Sequence, residues 1–353
     1  MNQARGAVDA GVFPQPAHPD DLRKFMPEPW KQRSFPPPQR YHYPAPQGEY
    51  LESAWPNNGL PGSDPELLSR HVFGDGGVDF AVLVPLTRGI LPDLDLANAI
   101  CHATNEWLAD SWLNEPNTDQ RFKGSIRVNP GDPDQAVAEI ERWADHPHMV
   151  QVAVPLESLQ PYGKRMFFPI WQAASKRSLP VFIHSDGGAG LEWAPTSVGY
   201  CRHYVEFSAL HPINMFFHLS SLIAEGVFER LPDFKVVFGD GGSDMVMPLM
   251  WRMDMTWRST RVEMPRAKSL PTSYLEKHVR FCTQRLEGPE DVATSNEWDR
   301  QNAAATLQVF ASNYPIWSAG SRDQLEKRLP EALRQQIMSD NSRLLYRLGE
   351  PRL

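Results

Sequence analysis

Two histidines, His184 and His218, each close a short apolar run, PVFIHS (180–185) and NMFFHLS (214–220). Neutral imidazoles brought to one point hold a divalent cation. The pair is therefore a candidate metal site, with hydrogen-bonded packing histidines as the alternative. A catalytic zinc takes three protein ligands and keeps one open position. Asp186, Asp240, Asp244 and His203 are the residues placed to supply the third. Asp240, in the Gly-rich segment GDGGSD, has a competing structural role, accepting backbone N–H bonds within its own turn. Arg127 lies in KGSIRVNP (123–130), where it could meet an anionic substrate or neutralise a buried carboxylate. Asp254, in WRMD, reads as a helix-packing ion pair with Arg252 or a neighbour. Phe168 and Trp171 share a helical stripe and read as core. DGGAG (186–190) can form an anion-binding nest of backbone amides or a plain loop. No P-loop, nucleophile elbow or HExxH motif is present.

These residues need elements to carry them. The apolar runs are VDFAVLVP (78–85), KGSIRVNP (123–130), MVQVAVPL (149–156), PVFIHS, NMFFHLS, KVVFGDGG (235–242) and QVFASNYP (308–315), with GAVDAGVF (6–13) as an eighth. Most are β-branched or aromatic and nearly continuous, as strands buried on both faces are. Between them lie amphipathic segments, including DQAVAEIERWADH (134–146), GKRMFFPIWQAASKRS (163–178) and SLIAEGVFERL (221–231). Alternating strands and helices imply right-handed βαβ units and a parallel sheet. Eight such units make a (β/α)8 TIM barrel, a fold of about 250 residues plus insertions. A doubly wound open sheet fits less well, because no strand leads into GxGxxG. In a barrel, chemistry sits at the C-terminal strand ends, which is where His184, His218, Asp240 and the Ser312–Asn313 pair fall.

The chain of 353 residues reads as a single barrel-type domain (1–353) with two additions. A Pro-, Tyr- and Trp-rich stretch at 14–65 reads as a surface arm, lid or interface arm. A segment at 256–305, containing HVRFCTQRL, reads as an insertion before the last strand. Hydrophobic residues make up 41% and charged residues 22%, and the net charge is −8, which argues against a nucleic-acid footprint. The three cysteines, Cys101, Cys201 and Cys282, form no CxxC pair, so a thiolate zinc site is not expected and a reducing, cytoplasmic setting is. No apolar run approaches the ~20 residues needed to span a bilayer.

The segments VFIHSDGG, SLIAEGVFERLPDFKVVFGDGGSDMVMPLMWRMD, FASNYPIWS and LPEALRQQIMSDNSRLLYRL resemble amidohydrolase family 2. That family includes aminocarboxymuconate semialdehyde decarboxylase and related decarboxylases and hydrolases. The resemblance runs from about Val8 onward. It implies a TIM barrel with one divalent metal, usually zinc, at the strand ends. It also shows departures. Where the family's first strand ends in His-x-His or Asp-x-His, this chain has Gly11 and Phe13. Where its eighth strand has Ser-Asp-Tyr-Pro-His, this chain has Ser312, Asn313, Tyr314, Pro315 and Ile316. Asn313 cannot accept a proton as the family's aspartate does. His184 and His218 match two family ligands, and Asp240 matches a usually acidic position.

The resemblance therefore implies a subunit with a degenerate metal site that supports a complete paralogous partner. The family includes oxygenases built from two related chains, such as the hydroxylase of 2-aminoisobutyrate. Two other readings stand beside it. One is an active hydrolase or decarboxylase with one metal held by His184, His218 and an acidic residue. The other is a metal-free barrel that binds a small molecule among Arg127, Phe13 and Ile316. Neither nucleic acid nor membrane is an expected partner.

Overall fold

The computed structural model describes residues 5–32, 50–74, 77–87, 91–186, 199, 202–239, 241–283 and 291–349. Eight parallel strands follow one another in chain order: β1 (Ala7–Val12), β2 (Val78–Leu83), β3 (Phe122–Arg127), β4 (Met149–Pro155), β5 (Val181–His184), β6 (Val236–Phe238), β7 (Val279–Cys282) and β8 (Gln308–Val309). The ring closes where the Ala10 N–H donates to the Phe310 carbonyl at 2.8 Å and the Asn313 N–H donates to the Gly11 carbonyl at 2.9 Å. Helices alternate with the strands, and the fold is the expected (β/α)8 TIM barrel.

Residues of alternate parity along the strands enter two cores. Leu83, Ile126, Val152, Val154, Ile183, Val236 and Phe281 pack outward beneath the helices, with Trp107, Trp112 and Trp171. Ala10, Val82, Ala153, Phe182, Val237, Cys282, Val309 and Ala311 fill the barrel interior with Phe13. By the same parity Ser125, Arg127, Gln151 and His184 face the interior. Two of them are linked in a chain: Gln151 Nε2 donates to Ser125 Oγ at 2.8 Å, and Ser125 Oγ donates to the Leu83 carbonyl at 2.8 Å.

Two strand assignments need correction. NMFFHLS is not a strand but part of the helix Ile213–Ala224. Its buried residues Met215, Phe216, His218, Leu219, Leu222 and Ile223 recur at helical spacing. A seven-residue apolar run cut from that helix looks the same as a buried strand. The missing strand, β7, lies inside the 256–305 stretch expected to be an insertion. Its polar, partly buried Arg280 interrupts the apolar run that would have marked it. KVVFGDGG therefore supplies the sixth strand rather than the seventh.

The helices Pro133–Trp143 and Phe168–Lys176 lie where expected. Trp171 is core, whereas Phe168 is only half-buried and carries the Arg230 guanidinium over its ring at 3.4 Å. SLIAEGVFERL is broken at Gly226, whose φ of 70° starts the short helix Val227–Arg230. Asp254 is buried but does not pair with Arg252. It accepts from the Thr272 N–H and hydroxyl at 3.0 and 2.8 Å.

Of the 14–65 stretch, residues 33–49 lie outside the described residues. The turn Pro19–Phe25 and Met26 lean on the helix Leu94–Leu108 through Ala99, Ile100 and Ala103. Tyr50 forms an antiparallel bridge to Ile316, and the Leu51 N–H donates to the Pro315 carbonyl at 3.0 Å. The stretch thus returns across the end of β8. At the other end of the chain, Arg343 in the helix Asn341–Tyr346 pairs with Asp79, and Ser339 Oγ donates to the Gly6 carbonyl at 2.7 Å. No helix among the described residues is long and apolar enough to cross a membrane.

Candidate functional site at the barrel mouth

His184 ends β5 and faces the interior. The Phe13 ring, just beyond β1, packs on the imidazole with centroids 4.5 Å apart, and the Phe182 ring stacks at 6.0 Å. Both phenyl rings are almost fully buried. Gly239 permits this crowding. A Cβ there would lie 2.6 Å from the Phe182 ring and 2.8 Å from the His184 ring. His184 Nδ1 lies 2.7 Å from the Ser185 carbonyl.

At β8, Asn313 takes a φ of 58°, a left-handed conformation that Asn tolerates better than most residues. Its Oδ1 is buried without a hydrogen-bond partner among the described residues. A side chain at position 11 would start 3.4 Å from that oxygen. Positions 11 and 313 are therefore neighbours across the closure, as the family resemblance requires of two ligand positions.

Asp9 lies beneath them. Its Oδ1 accepts from the Ser312 N–H at 2.9 Å and the Gly11 N–H at 3.2 Å. Burial pushes the carboxyl up to about 6, more than those N–H donors lower it. Asp9 thus holds β1 to β8.

His218 sits on a helix, not on a strand end. Its Nδ1 accepts from the Tyr162 N–H at 3.1 Å, and its Nε2 faces the Leu156 carbonyl at 2.8 Å. The Tyr162 ring stacks on it at 4.3 Å. Both nitrogens are committed to backbone, so neither is open to a cation. Burial lowers its pKa to about 4, which keeps it neutral at physiological pH.

The other candidates are scattered or engaged. Asp240 lies outside the described residues, as does 187–190 of the candidate nest. His203 is exposed on the surface. Asp244 sits in the first turn of the helix Ser243–Thr260. Ile316 is half-buried against the interior cluster. Among the described residues, no three His, Cys, Asp or Glu side chains converge to hold a metal ion.

Asp186 and Arg127 instead find each other. Arg127 Nη2 pairs with Asp186 Oδ2, both side chains being essentially inaccessible to solvent. Thr87, which follows β2, donates its hydroxyl to the same oxygen at 2.8 Å. The Asp186 N–H donates to Glu157 Oε2 at 3.1 Å. Asn105 fixes the Arg127 backbone from both sides, accepting from its N–H at 2.7 Å and donating to its carbonyl at 2.8 Å. Burial raises the Asp186 carboxyl, and the adjacent guanidinium opposes that. Of the two roles the sequence allows Arg127, neutralising a buried carboxylate is the one seen. Thr87, Glu157 and Asn105 are not singled out by the sequence. Only their nearness to strand ends or to Arg127 marks them, and that is a property of the fold.

A sequence profile described as amidohydrolase matches residues 42–348. The chain belongs to the amidohydrolase family. Several solved structures share its fold. An amidohydrolase from Mycobacterium avium subsp. paratuberculosis K-10 superposes with a TM-score of 0.74 at 19% identity, over 98% of this chain and 100% of that one. A dihydroxybenzoic acid decarboxylase from Polaromonas sp. JS666, with bound manganese and the inhibitor 2-nitroresorcinol, gives 0.67 at 19% identity over 98% and 97%. A 5-carboxyvanillate decarboxylase from Novosphingobium aromaticivorans, complexed with manganese, gives 0.68 at 17% identity over 98% and 97%. At these identities the likeness is one of fold.

The family implies a divalent cation, and the described residues do not fit one. Phe13 fills the approach to His184, residue 11 has no side chain, Asn313 is neutral and His218 is engaged. Among the described residues the expected set comes down to His184 at the end of β5, short of the usual three ligands.

Proposed function

We propose that this chain is a supporting subunit of the amidohydrolase family, with a metal-deficient barrel mouth, that assembles with a catalytically complete paralogous chain. The observation that carries the reading is the Phe13 ring lying 4.5 Å from the His184 ring, against the stretch of β1 that the family uses for ligands. The barrel around it is intact and well packed, so the loss at the mouth is not general decay. A fold kept without its usual chemistry is kept for another role, and pairing with a related barrel is the natural one.

The test is metal content and assembly together. The chain is purified alone and after co-expression with a paralogous amidohydrolase encoded beside it. Metal per chain is read by mass spectrometry and assembly by sedimentation. A stable hetero-oligomer with metal in the partner supports the reading. A lone chain with one metal per copy, lost in His184→Ala together with activity, overturns it. A second arm uses the variant Gly11→Asp/Phe13→His/Asn313→Asp. It should acquire stoichiometric divalent-metal binding that the natural chain lacks.

The overturning outcome would instead favour a mononuclear-metal decarboxylase or hydrolase. His184 at the end of β5 and the manganese-bound decarboxylases of the same fold speak for that second reading. The same metal analysis decides between the two.

A further inference from the structure

Two neighbouring helices of the outer ring turn apolar side chains to solvent. In the helix Ser243–Thr260, Val246, Met250 and Asp254 are buried. Trp251 and Met255 lie on the face turned away from them, 47% and 67% exposed, and Val262, just beyond the helix, is 85% exposed. In the helix Ile213–Ala224, Ile213 and Phe217 stand one turn apart and face outward, Phe217 being 54% exposed. Leu210, just before that helix, is exposed as well. The two helices meet where the Phe216 ring lies against Gly242 at the head of the second, 3.4 Å from where a Cβ would stand.

Scattered exposed apolar residues are ordinary. These six expose roughly 600 Å² of side chain between them, the upper end for the largest apolar patch on a monomer and near the ~800 Å² that each partner buries in a stable complex. Tryptophan and phenylalanine are also the residues that anchor such contacts.

The charges decide what covers the face. Arg252 and Arg258 flank the Trp251–Met255 stripe, and Arg258 Nη1 lies 4.0 Å from the Met255 sulfur. Both arginines are exposed, and neither has a carboxylate partner among the described residues. The two carboxylates of this helix are elsewhere: Asp244 in its first turn, and Asp254 buried on Thr272. The helix Ile213–Ala224 carries no charged residue. The face is thus basic, on a chain of net charge −8. A second copy docked by a two-fold rotation about Met255 would set Arg252 of each copy against Arg258 of the other, and like charges in contact oppose that pairing. A related barrel with carboxylates at those places on its own helix closes the same contact with opposite charges.

We propose that the outer face of the helices Ile213–Ala224 and Ser243–Thr260 is the docking surface for the paralogous barrel, whose facing helix is apolar along one stripe and flanked by carboxylates. The proposal rests on the supporting-subunit reading and names the surface and the chemistry of its partner.

The experiment measures, by sedimentation, the affinity of the full-length chain for the paralogous amidohydrolase encoded beside it. Trp251→Glu/Met255→Glu should abolish the complex. Arg252→Glu/Arg258→Glu should weaken it at least 10-fold. All four side chains are exposed, and thermal unfolding by circular dichroism confirms that each variant is folded. Leu344→Glu, at an apolar residue 77% exposed on the helix Asn341–Tyr346, should leave the affinity unchanged. A complex of unchanged affinity in either double variant, or one lost equally in Leu344→Glu, overturns this surface and leaves the supporting-subunit reading standing. No complex between the natural chains sinks that reading and the surface with it. A dimer of the lone chain that Trp251→Glu/Met255→Glu breaks gives the face to a second copy and overturns the choice of partner.

Discussion

A histidine serves either as ligand or as packing according to what its two nitrogens touch. His218 bonds two backbone groups and stacks on Tyr162, so it works as a polar rivet between the Leu156–Tyr162 loop and the helix Ile213–Ala224. His218→Gln should destabilise the fold by about 1–3 kcal/mol, the cost of leaving buried partners unmade. It should leave metal content unchanged. Urea denaturation and metal analysis of one preparation read both, and a change in metal with stability intact would return His218 to the ligand set. Asp9 makes a second prediction at this scale. Its folded pKa of about 6 lies above the ordinary 3.8. The folded state therefore holds this proton more tightly than the unfolded chain. The resulting stabilisation is complete below about pH 3.8 and is lost as pH rises through about 6, at most roughly 3 kcal/mol. Asp9→Asn keeps an acceptor for the Ser312 and Gly11 N–H groups and has nothing to titrate. The variant should gain on the natural chain as pH rises from 4.5 to 7.5. A flat difference across that range would show that the Asp9 carboxyl is not held protonated.

At the scale of elements, strand-length apolar runs mark most of the barrel, but not the ring's sixth and seventh strands in their right places. NMFFHLS reads as a strand because a strand buried on both faces and a slice of buried helix present the same residues. VRFC escapes notice because its polar inward residue breaks the run, and in a barrel even inward positions near the rim carry long polar side chains. The site divides the same way. His184 and the loss of ligands at Gly11, Phe13 and Asn313 are legible in the sequence, the latter only through resemblance. The Thr87–Arg127–Asp186 cluster joins residues up to 99 positions apart, and no local pattern announces such a meeting. Gly239, at the end of β6, illustrates how tightly neighbouring strand ends fit. Gly239→Ala would place a methyl 2.6 Å from the rigid Phe182 ring. The variant should lose about 1–3 kcal/mol in denaturant titration, as overpacked cores do. No loss would mean the Phe182 and His184 rings have room to move.

Over the whole molecule, the closure between β8 and β1 is the joint on which the barrel depends. Asp9 meets Ser312, Gly6 meets Ser339 and Asp79 meets Arg343, while the π-helical turn Gln336–Asp340 buries Ile337 and Met338 beside them. Removing residues 336–353 would strip this joint and also take Leu345 and Tyr346 from the interior core. Such a truncation should lose cooperative unfolding, read by circular dichroism on heating, and should bind a dye for exposed apolar surface. A truncated chain that still unfolds cooperatively would place the stability of the barrel elsewhere.

The same joint has a meaning in time. Gly6 and Ser339 are separated by 333 positions, so the whole barrel between them must leave the ribosome before the two can meet. Until then β1 and whichever strand was made last are open edges, able to pair with another chain. Long-range closure is also slow, because its entropy must be met before the contact forms. The interval between emergence of β1 and arrival of the Asn341–Tyr346 helix is thus when this protein is most exposed to misassembly. Slowing translation of the codons for residues 304–346 should raise the aggregated fraction without altering the stability of the molecules that finish folding.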